Sequence, residues 1–351
     1  MGCGGSRQAA DTAISYVHGG DSTVGPRTFI GAHSDMINGV AAGCAVGEWI
    51  SCAEDKTVAL TDWHSGRVVQ TWRGHERGVN RVLAAPHADG ALTCSRDTTV
   101  RLWKRGQEAP VTTYAGHELS VSAIALSEDG GQAMSGSRDS SLRVWDVAAG
   151  SCAARCHVSR NVVTCLAWVA GEGHLVAQGS EDLRLRLWDV RTLSQPAAQM
   201  EGAYVYFPLC VATVGHYVIT GSNGFDSTGC ELRIWDRRTN KQPLGALAGH
   251  AQAVQGVAVV AGGGGGGGLL ACSGSKDGQL RLWDVTSGEC LDEMRLADGS
   301  GVSGVAAARA DEMGSQLYVS TTSGDVHAVS VKGGALEVVA TGGPGDKPER
   351  L

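Results

Sequence analysis

The sequence has little positive charge and few aromatic side chains. Its 351 residues include 29 Lys and Arg against 36 Asp and Glu, which gives a formal net charge of −7 at pH 7. A nucleic-acid-binding face needs clustered positive charge, so this balance argues against DNA or RNA as a partner. Aromatic residues make up only 5% of the chain, yet it contains 9 Trp and 3 Phe. This excess of Trp over Phe indicates a motif that places Trp at fixed positions.

Catalytic and metal-binding motifs are also lacking. The 11 Cys are scattered, with Cys152 and Cys156 as the one close pair, so we expect reduced cytosolic thiols and no metal site. No Ser, His and Asp follow the order of a catalytic triad. The run Gly262–Gly268 lacks the Lys and the helix of a phosphate-binding loop, and we predict a flexible loop there. We therefore expect a protein without cofactor or enzymatic activity.

No segment of the chain is suited to a secretory signal or a membrane-spanning helix. The first thirty residues lack the apolar core of a signal peptide. The uncharged stretch Ala251–Ser275 is interrupted by the glycine run, which argues against a spanning helix. Any association with membranes must therefore have another origin.

The amino terminus carries a lipidation pattern. Met1 and Gly2, followed by small residues and Ser6, fit the N-myristoylation motif. One myristoyl chain binds membranes only marginally, so a second signal is needed, and Cys3 is placed for palmitoylation. We expect residues 1–26 to form a flexible tail, acylated at Gly2 and Cys3, that holds the protein at membranes. The alternative is an unmodified glycine-rich start.

A His, an Asp and a Trp recur along the chain, with the His 22 residues before the Asp in two of the complete sets and 27 before it in the third, where the glycine run intervenes. In three segments a Gly-His dipeptide precedes the Asp, a Ser or Thr lies four residues before the Asp, and the Trp lies six residues after it. The three complete sets are His75, Thr93, Asp97 and Trp103; His117, Ser135, Asp139 and Trp145; and His250, Ser273, Asp277 and Trp283. The His can bridge the Asp and the hydroxyl, and the hydroxyl can accept from the Trp indole. Breaking such a buried network is costly, so we assign these residues a structural role.

Other segments keep only part of the set. His33 and Asp55 lack the Trp, because Thr61 stands in its place. Two later segments lack the His, and they retain Asp182 with Trp188 and, after a lengthened turn, Trp235. Counting a seventh segment without these residues, the repeats begin near residues 31, 74, 116, 158, 202, 249 and 301.

A period of 40–45 residues with Gly-His and Trp-Asp is typical of propeller blades, and these units resemble the WD-repeat family. The resemblance implies an all-β fold, a single seven-bladed WD-repeat β-propeller with a flexible N-terminal tail. The propeller would span residues 27–341, followed by a disordered tail at 342–351. Closure of the ring would remove exposed sheet edges. We expect the strand Arg27–Ile30 to complete the last blade, with Leu336–Thr341 as the alternative.

Segments that depart from the repeat pattern carry a narrower resemblance. Ser159-Arg-Asn-Val-Val163, Ser180-Glu-Asp182 and Ser222-Asn-Gly-Phe225 are similar to the subfamily of WD repeat-containing protein thirty-one. That resemblance implies a cilium-linked protein in intraflagellar transport-related trafficking, at the cilium or ciliary base. We therefore expect a cytoplasmic, membrane-associated monomer that acts as a scaffold or adaptor for other proteins.

Residues in the turns are candidates for partner binding. Arg96, Arg138 and Lys276 occupy the same turn position in three repeats, and with Arg160 they could form a positive rim. The alternative is that these side chains are simply solvated. Phe225, in the lengthened turn, is a candidate anchor because aromatic residues dominate binding hot spots.

Two W-D-x-R boxes, ending at Arg191 and Arg238, suggest an alternative function. They resemble the boxes of substrate receptors of cullin-four ubiquitin ligases, and the resemblance implies that both Arg contact the ligase adaptor. The simpler alternative is that each Arg packs within its own blade.

Overall fold

Seven antiparallel sheets, arranged as the blades of a ring, form the part of the chain that the computed structural model describes. That part comprises residues 27–30, 32–63, 65–158, 162–200, 204–239, 242–260, 268–296, 299–308 and 315–343, with the backbone alone for 27–30 and 340–343. The expected tails at residues 1–26 and from residue 344, and residues 262–267 of the glycine run, lie outside it.

Six blades have four strands and the seventh has five. In chain order the strands are β1 (Arg27–Ile30); in blade one β2 (Ile37–Ala42), β3 (Glu48–Ala53), β4 (Val58–Asp62) and β5 (Arg67–Trp72); in blade two β6 (Val79–Ala85), β7 (Gly90–Ser95), β8 (Val100–Lys104) and β9 (Thr112–Tyr114); in blade three β10 (Val121–Leu126), β11 (Gln132–Ser137), β12 (Ser141–Asp146) and β13 (Ser151–His157); in blade four β14 (Val163–Trp168), β15 (Leu175–Ser180), β16 (Arg184–Asp189) and β17 (Ala198–Met200); in blade five β18 (Pro208–Val214), β19 (Tyr217–Ser222), β20 (Leu232–Asp236) and β21 (Gly245–Leu247); in blade six β22 (Val254–Val260), β23 (Leu270–Ser275), β24 (Gln279–Asp284) and β25 (Cys290–Arg295); and in blade seven β26 (Val302–Ala307), β27 (Ser315–Thr321), β28 (Val326–Lys332) and β29 (Ala335–Gly343). In the described ranges the one helical element is the short turn Pro86–Ala88, and no helix there is long and apolar enough to cross a membrane.

Apolar side chains pack between neighbouring blades. Second strands such as β3 and β7 are buried along their whole length because adjacent blades cover both of their faces, whereas outer strands such as β13 face solvent. A separate apolar cluster fills each of the seven junctions. At the junction of blades seven and one, the rings of Trp49 and Tyr318 lie 5.3 Å apart. The ring is thus closed, and the expected all-β seven-bladed propeller is confirmed.

The carboxyl-terminal strand completes the last blade. Strand β29 pairs with β28 through the two-residue turn Gly333–Gly334, whose φ angles of +59° and +86° suit a tight hairpin. Strand β1 lies outside β29 and runs parallel to it. The expectation that Arg27–Ile30 completes the blade was therefore wrong, because a local hairpin closes a far shorter loop than the two chain ends do. Strand β29 also continues to Gly343, so residues 342 and 343 do not belong to the expected tail.

Candidate functional site: buried relays and the turn face

A buried relay of four side chains supports the turn between the second and third strands in blades two, three and six. In blade two, Nδ1 of His75 lies 2.7 Å from Asp97, and its Nε2 lies 2.8 Å from Oγ1 of Thr93. The indole N–H of Trp103 donates to the same hydroxyl over 2.8 Å. The corresponding distances are 2.9, 2.7 and 2.8 Å for His117, Ser135, Asp139 and Trp145, and 3.2, 2.8 and 2.8 Å for His250, Ser273, Asp277 and Trp283.

The relay also determines the protonation of its His. A carboxylate only accepts hydrogen bonds, so the His Nδ1–H donates to the Asp and Nε2 accepts the hydroxyl hydrogen. Burial lowers the pKa of His117 in spite of the neighbouring Asp139. Burial alone would raise the pKa of Asp139, but hydrogen bonds from Ser141, the Glu118 N–H and His117 hold it at about 2. In blade three the relay therefore joins a neutral imidazole to an ionised carboxylate at neutral pH.

Two further positions belong to the relays of blades two and three, and the sequence analysis did not identify them. In blade three the Ser141 hydroxyl donates to Asp139 over 2.6 Å, and Arg143 donates over 2.6 Å to the carbonyl of Gly116. Gly116 has a φ of +150°, and a side chain there would collide with the Arg143 guanidinium. The available signal was the repeated L-R-x-W at the third strand. The equivalent residues in blade two are Thr99 and Arg101.

Blade one keeps this relay without the Trp. His33 lies 2.8 Å from the Ser51 hydroxyl through Nε2 and 3.3 Å from Asp55 through Nδ1. Thr61 stands in the Trp position, and its buried hydroxyl has no hydrogen-bond partner among the described residues. The Ser51 hydroxyl therefore lacks the indole donor that the complete relays have.

An arginine replaces the missing His in blade four. Arg186 is only 4% exposed and donates to the carboxylate of Asp182 and, over 3.0 Å, to the hydroxyl of Ser180. Gln178 takes the hydroxyl position, and its amide oxygen accepts from Trp188 over 3.0 Å. The guanidinium thus holds the turn Asp as the imidazole does in the complete blades.

A tyrosine replaces the His in blade five. The phenol of Tyr204 lies 2.6 Å from the hydroxyl of Thr220, and Trp235 donates to the same hydroxyl over 3.3 Å. Tyr204 is buried, as the relay His residues are. A sequence pattern that requires His at this position does not identify Tyr204.

Blade seven fills the relay position with apolar side chains. Val319 pairs across the sheet with His327, as Thr93 pairs with Arg101 in blade two, so Val319 occupies the hydroxyl position. Val329, two residues beyond His327, occupies the Trp position. Val319 and Val329 both belong to the apolar cluster between blades six and seven. Apolar packing substitutes for the relay in this blade.

The turns next to the relays form one face of the ring, which we call the turn face. In each blade the backbone N–H of one turn residue donates over 2.8–3.1 Å to a carbonyl in the loop that enters the blade. The seven residues are Glu54, Arg96, Arg138, Glu181, Asn223, Lys276 and Thr322. One backbone geometry therefore presents different side chains around the ring.

The residues of the predicted positive rim differ in whether their charge is balanced by an ion pair. Arg96 pairs with Glu54 over 2.6 Å, so its charge is balanced. Arg138 and Lys276 are exposed and form no ion pair with any residue that the structure describes. Arg160 lies outside the described residues. The turn face also carries Phe225, whose side chain is 64% exposed.

The two W-D-x-R boxes lie on the opposite face. Arg191 pairs with Asp189 over 2.6 Å and Arg238 pairs with Asp236 over 2.8 Å, while the two guanidinium side chains are 64% and 59% exposed. The hydrogen bonds from these Arg hold the pKa of each Asp at about 2. Adjacent blades thus present the same Asp–Arg pair.

The thiols and the metal-ligating residue types form no reactive cluster in the described ranges. No group of three His, Cys, Asp or Glu there is placed to hold a metal ion, and the described Cys are free thiols. Burial raises the pKa of Cys94 to about 12 and that of Cys156 to about 11, which keeps both protonated. The predicted lipidation residues Gly2 and Cys3 lie outside the described residues.

A closed ring of small antiparallel blades defines the class of β-propellers, which WD-repeat proteins generally use as non-enzymatic interaction scaffolds. Residues 66–104, 108–146, 150–189 and 241–284 match the WD40 family, described as WD domain, G-beta repeat. Each match ends one residue after a relay-position Trp. The four repeats and the seven-bladed ring support a WD-repeat family, and the chain folds as a seven-bladed β-propeller.

One curated protein shares a short stretch with the chain. Protein DOA1 of Saccharomyces cerevisiae is 37% identical over 60 residues, which cover 17% of this chain and 8% of that protein. The match therefore spans a small part of the relative's length.

Proposed function

We propose that this protein is a membrane-tethered, non-catalytic adaptor in ciliary, intraflagellar transport-related trafficking. The turn face is the observation that carries the scaffold role, because one repeated backbone bond supports different side chains in the seven blades. A rigid frame with variable side chains suits the recognition of other proteins, and recognition depends on those side chains rather than on the fold.

Acylation of Gly2 and Cys3 supplies the tether in this proposal. Strand β28 leads away from the turn at Asp325, so β29 returns toward the turn face, and β1 runs parallel to it. The chain therefore enters β1 from the side of the opposite face. A membrane tether attached there lies on the side away from the turn face, which leaves that face open to partners.

Mass spectrometry and localisation test the tether. We expect protein isolated from cells to carry a myristoyl group at Gly2 and a second acyl group at Cys3. Gly2→Ala should lose both and become diffuse, because the two chains together give stable membrane binding. Cys3→Ser should keep the myristoyl group and bind membranes only transiently. An unmodified Gly2 in wild-type protein would contradict the tether.

The ciliary assignment is supported by the resemblance of Ser180-Glu-Asp182 and Ser222-Asn-Gly-Phe225 to the cilium-linked subfamily. We expect tagged protein to concentrate at the cilium or its base in ciliated cells. Gly2→Ala serves as the matched variant, since it removes the tether and leaves the ring intact. A wild-type protein spread evenly through the cytoplasm would contradict this assignment.

A second candidate function, substrate recognition for a cullin-four ubiquitin ligase, is favoured by the paired Arg191 and Arg238. Their guanidinium groups are exposed at equivalent positions in adjacent blades. If this function holds, changing both to Ala abolishes co-purification of the ligase adaptor, while Arg67→Ala, an exposed change in blade one, has no effect. Unchanged adaptor levels in the double variant would exclude it.

A further inference from the structure

The β19–β20 hairpin of blade five continues beyond its sheet as a finger, residues 223–230. Phe225 pairs with Thr228, and this pairing continues the antiparallel register of the sheet, in which Tyr217 pairs with Asp236. Backbone hydrogen bonds of 3.0 Å run in both directions between Phe225 and Thr228. The lengthened turn is therefore an ordered extension of the blade.

The finger is anchored at its tip and closed by a tight two-residue turn. At its tip the Ser227 N–H donates over 2.9 Å to the carbonyl of Ala251, in the loop that enters blade six. Asp226 and Ser227 have φ angles of +49° and +60°, as both central residues of a type I′ hairpin turn require, and Asp tolerates this left-handed region. The tight turn and the anchor at its tip together fix the backbone of the finger.

One apolar side chain on the finger and one beside it are exposed to solvent. Phe225 is 64% exposed, and Val205, which packs beside Gly229 of the finger, is 62% exposed. A rigid aromatic side chain is an effective anchor because little conformational entropy is lost when a partner covers it. This pair is therefore suited to receive an apolar side chain of a partner.

The finger adjoins a cationic cavity that all seven blades line at the turn-face end of the central channel of the ring, which we call the channel mouth. The Asn223 N–H donates over 2.9 Å to the carbonyl of Phe207, which lines a cavity of about 550 Å³. The charged residues around this cavity are Arg81, Arg138, Glu181 and Lys276, three cations against one anion in a protein of net charge −7. The local positive charge complements an acidic ligand.

We propose that the finger and the channel mouth form one docking surface for an acidic protein segment that carries an apolar side chain. The apolar side chain packs on Phe225 and Val205, and carboxylates of the segment pair with Arg138 and Lys276. This proposal rests on the scaffold role proposed above, and it does not depend on the membrane tether or on the ciliary location.

Peptide selection on the full-length protein tests this surface. A phage-displayed library of random peptides is the probe, and we expect the enriched peptides to combine Asp or Glu with a large apolar residue. An enriched peptide should bind Phe225→Ser and Lys276→Glu roughly tenfold or more weakly than it binds the wild type. Its affinity should also fall with added salt, because charge pairs at an exposed rim are screened.

Matched variants on the opposite face provide the controls. Val46→Ser removes an apolar side chain that is 59% exposed, and Lys104→Glu reverses a charge that is likewise exposed, so neither should change the affinity. Enriched peptides without acidic residues, or peptides whose affinity neither Phe225→Ser nor Lys276→Glu changes, would overturn the docking surface and leave the scaffold role standing. A selection that enriches no peptide would count against both.

A lipid surface is the competing occupant of the finger. Vesicles of phosphatidylserine and phosphatidylcholine should not bind the Gly2→Ala protein. Vesicle binding that is retained in Gly2→Ala and lost on adding Phe225→Ser would assign the finger to membranes and overturn the proposal.

Discussion

Trp145 donates its indole N–H to the hydroxyl of Ser135 over 2.8 Å, and both side chains are buried. The same hydroxyl lies 2.7 Å from Nε2 of His117. Ser135→Ala leaves the indole and the imidazole without their shared partner, so we expect the free energy of unfolding to fall by about 2 kcal/mol. Urea unfolding of the two proteins measures this difference.

Ser135→Thr is the matched control for that change. Blade two has Thr93 in the same position, where it keeps both hydrogen bonds. We expect Ser135→Thr to be much less destabilising than Ser135→Ala. A loss of equal size in both variants would show that side-chain volume, rather than the hydroxyl, decides stability at this position.

The free energy of unfolding should fall in two steps as the pH is lowered. Burial lowers the pKa of His75 and His117 in the folded ring, so the unfolded chain binds their protons first, below roughly pH 6.5. Asp139 and Asp277 keep pKa values of about 2, because hydrogen bonds outweigh burial. Their contribution is present above the unfolded pKa of about 3.9 and is lost as the pH falls toward 2.

Denaturant unfolding across the pH range checks both steps. Asp139→Asn should lower stability at neutral pH and also weaken the second, acidic step. A free energy of unfolding that stays constant between neutral pH and about pH 5 would contradict the neutral state of the buried His.

The two strands at the edge of blade seven should differ in importance. Leu336 of β29 is fully buried, and its backbone N–H donates over 2.7 Å to Asp292 of blade six. Leu336→Ala should therefore lower the free energy of unfolding by about 3 kcal/mol. Deleting residues 1–30 should leave a cooperative, folded ring, because β29 already completes the blade. Loss of the folded state on that deletion would show that β1 is needed for closure.

The stability of variants at Leu183 should depend on how well each residue adopts the left-handed backbone conformation of this position. Leu183 is exposed and has a φ of +63°, at a turn position where blade six has Gly278 and blade seven has Gly324. We expect Leu183→Asn to raise the free energy of unfolding by about 0.5–1 kcal/mol, because Asn tolerates the left-handed region. Leu183→Val should lower it, because β-branched residues disfavour positive φ. Thermal unfolding of the three proteins gives their order of stability. If Leu183→Val were the most stable of the three, the prediction would be contradicted.

Sequence patterns predicted the complete relays better than they predicted the side chains that replace the relay His in blades four and five. The spacing of His117, Asp139 and Trp145 reflects strand lengths and one tight turn, which are local features that leave a periodic signal. Tyr204 gave no such signal, because an unlike side chain completes the relay from its own backbone position. Arg186 lies in the repeated L-R-x-W, but that pattern does not show that its guanidinium binds the turn Asp in place of a His. Their role depends on the shape of the site rather than on the identity of the residue.

Interactions between blades could not be predicted in the same way. Arg96 was expected in a positive rim, yet it pairs with Glu54 of the preceding blade. The exposure of Phe225 and the charge of the channel mouth likewise depend on how neighbouring blades meet. Residue spacing within one repeat contains no information on these contacts.

The sequence by itself determined the number of blades and the place of each complete relay, because a four-stranded hairpin unit repeats with a nearly constant length. Only the tertiary structure decided which strand completes the ring. Arg27–Ile30 and β29 run in the same direction, and either could pair with β28 as far as sequence pattern shows. The two-residue turn Gly333–Gly334 brings β29 to β28 with the shorter loop, and packing against blade six holds it there.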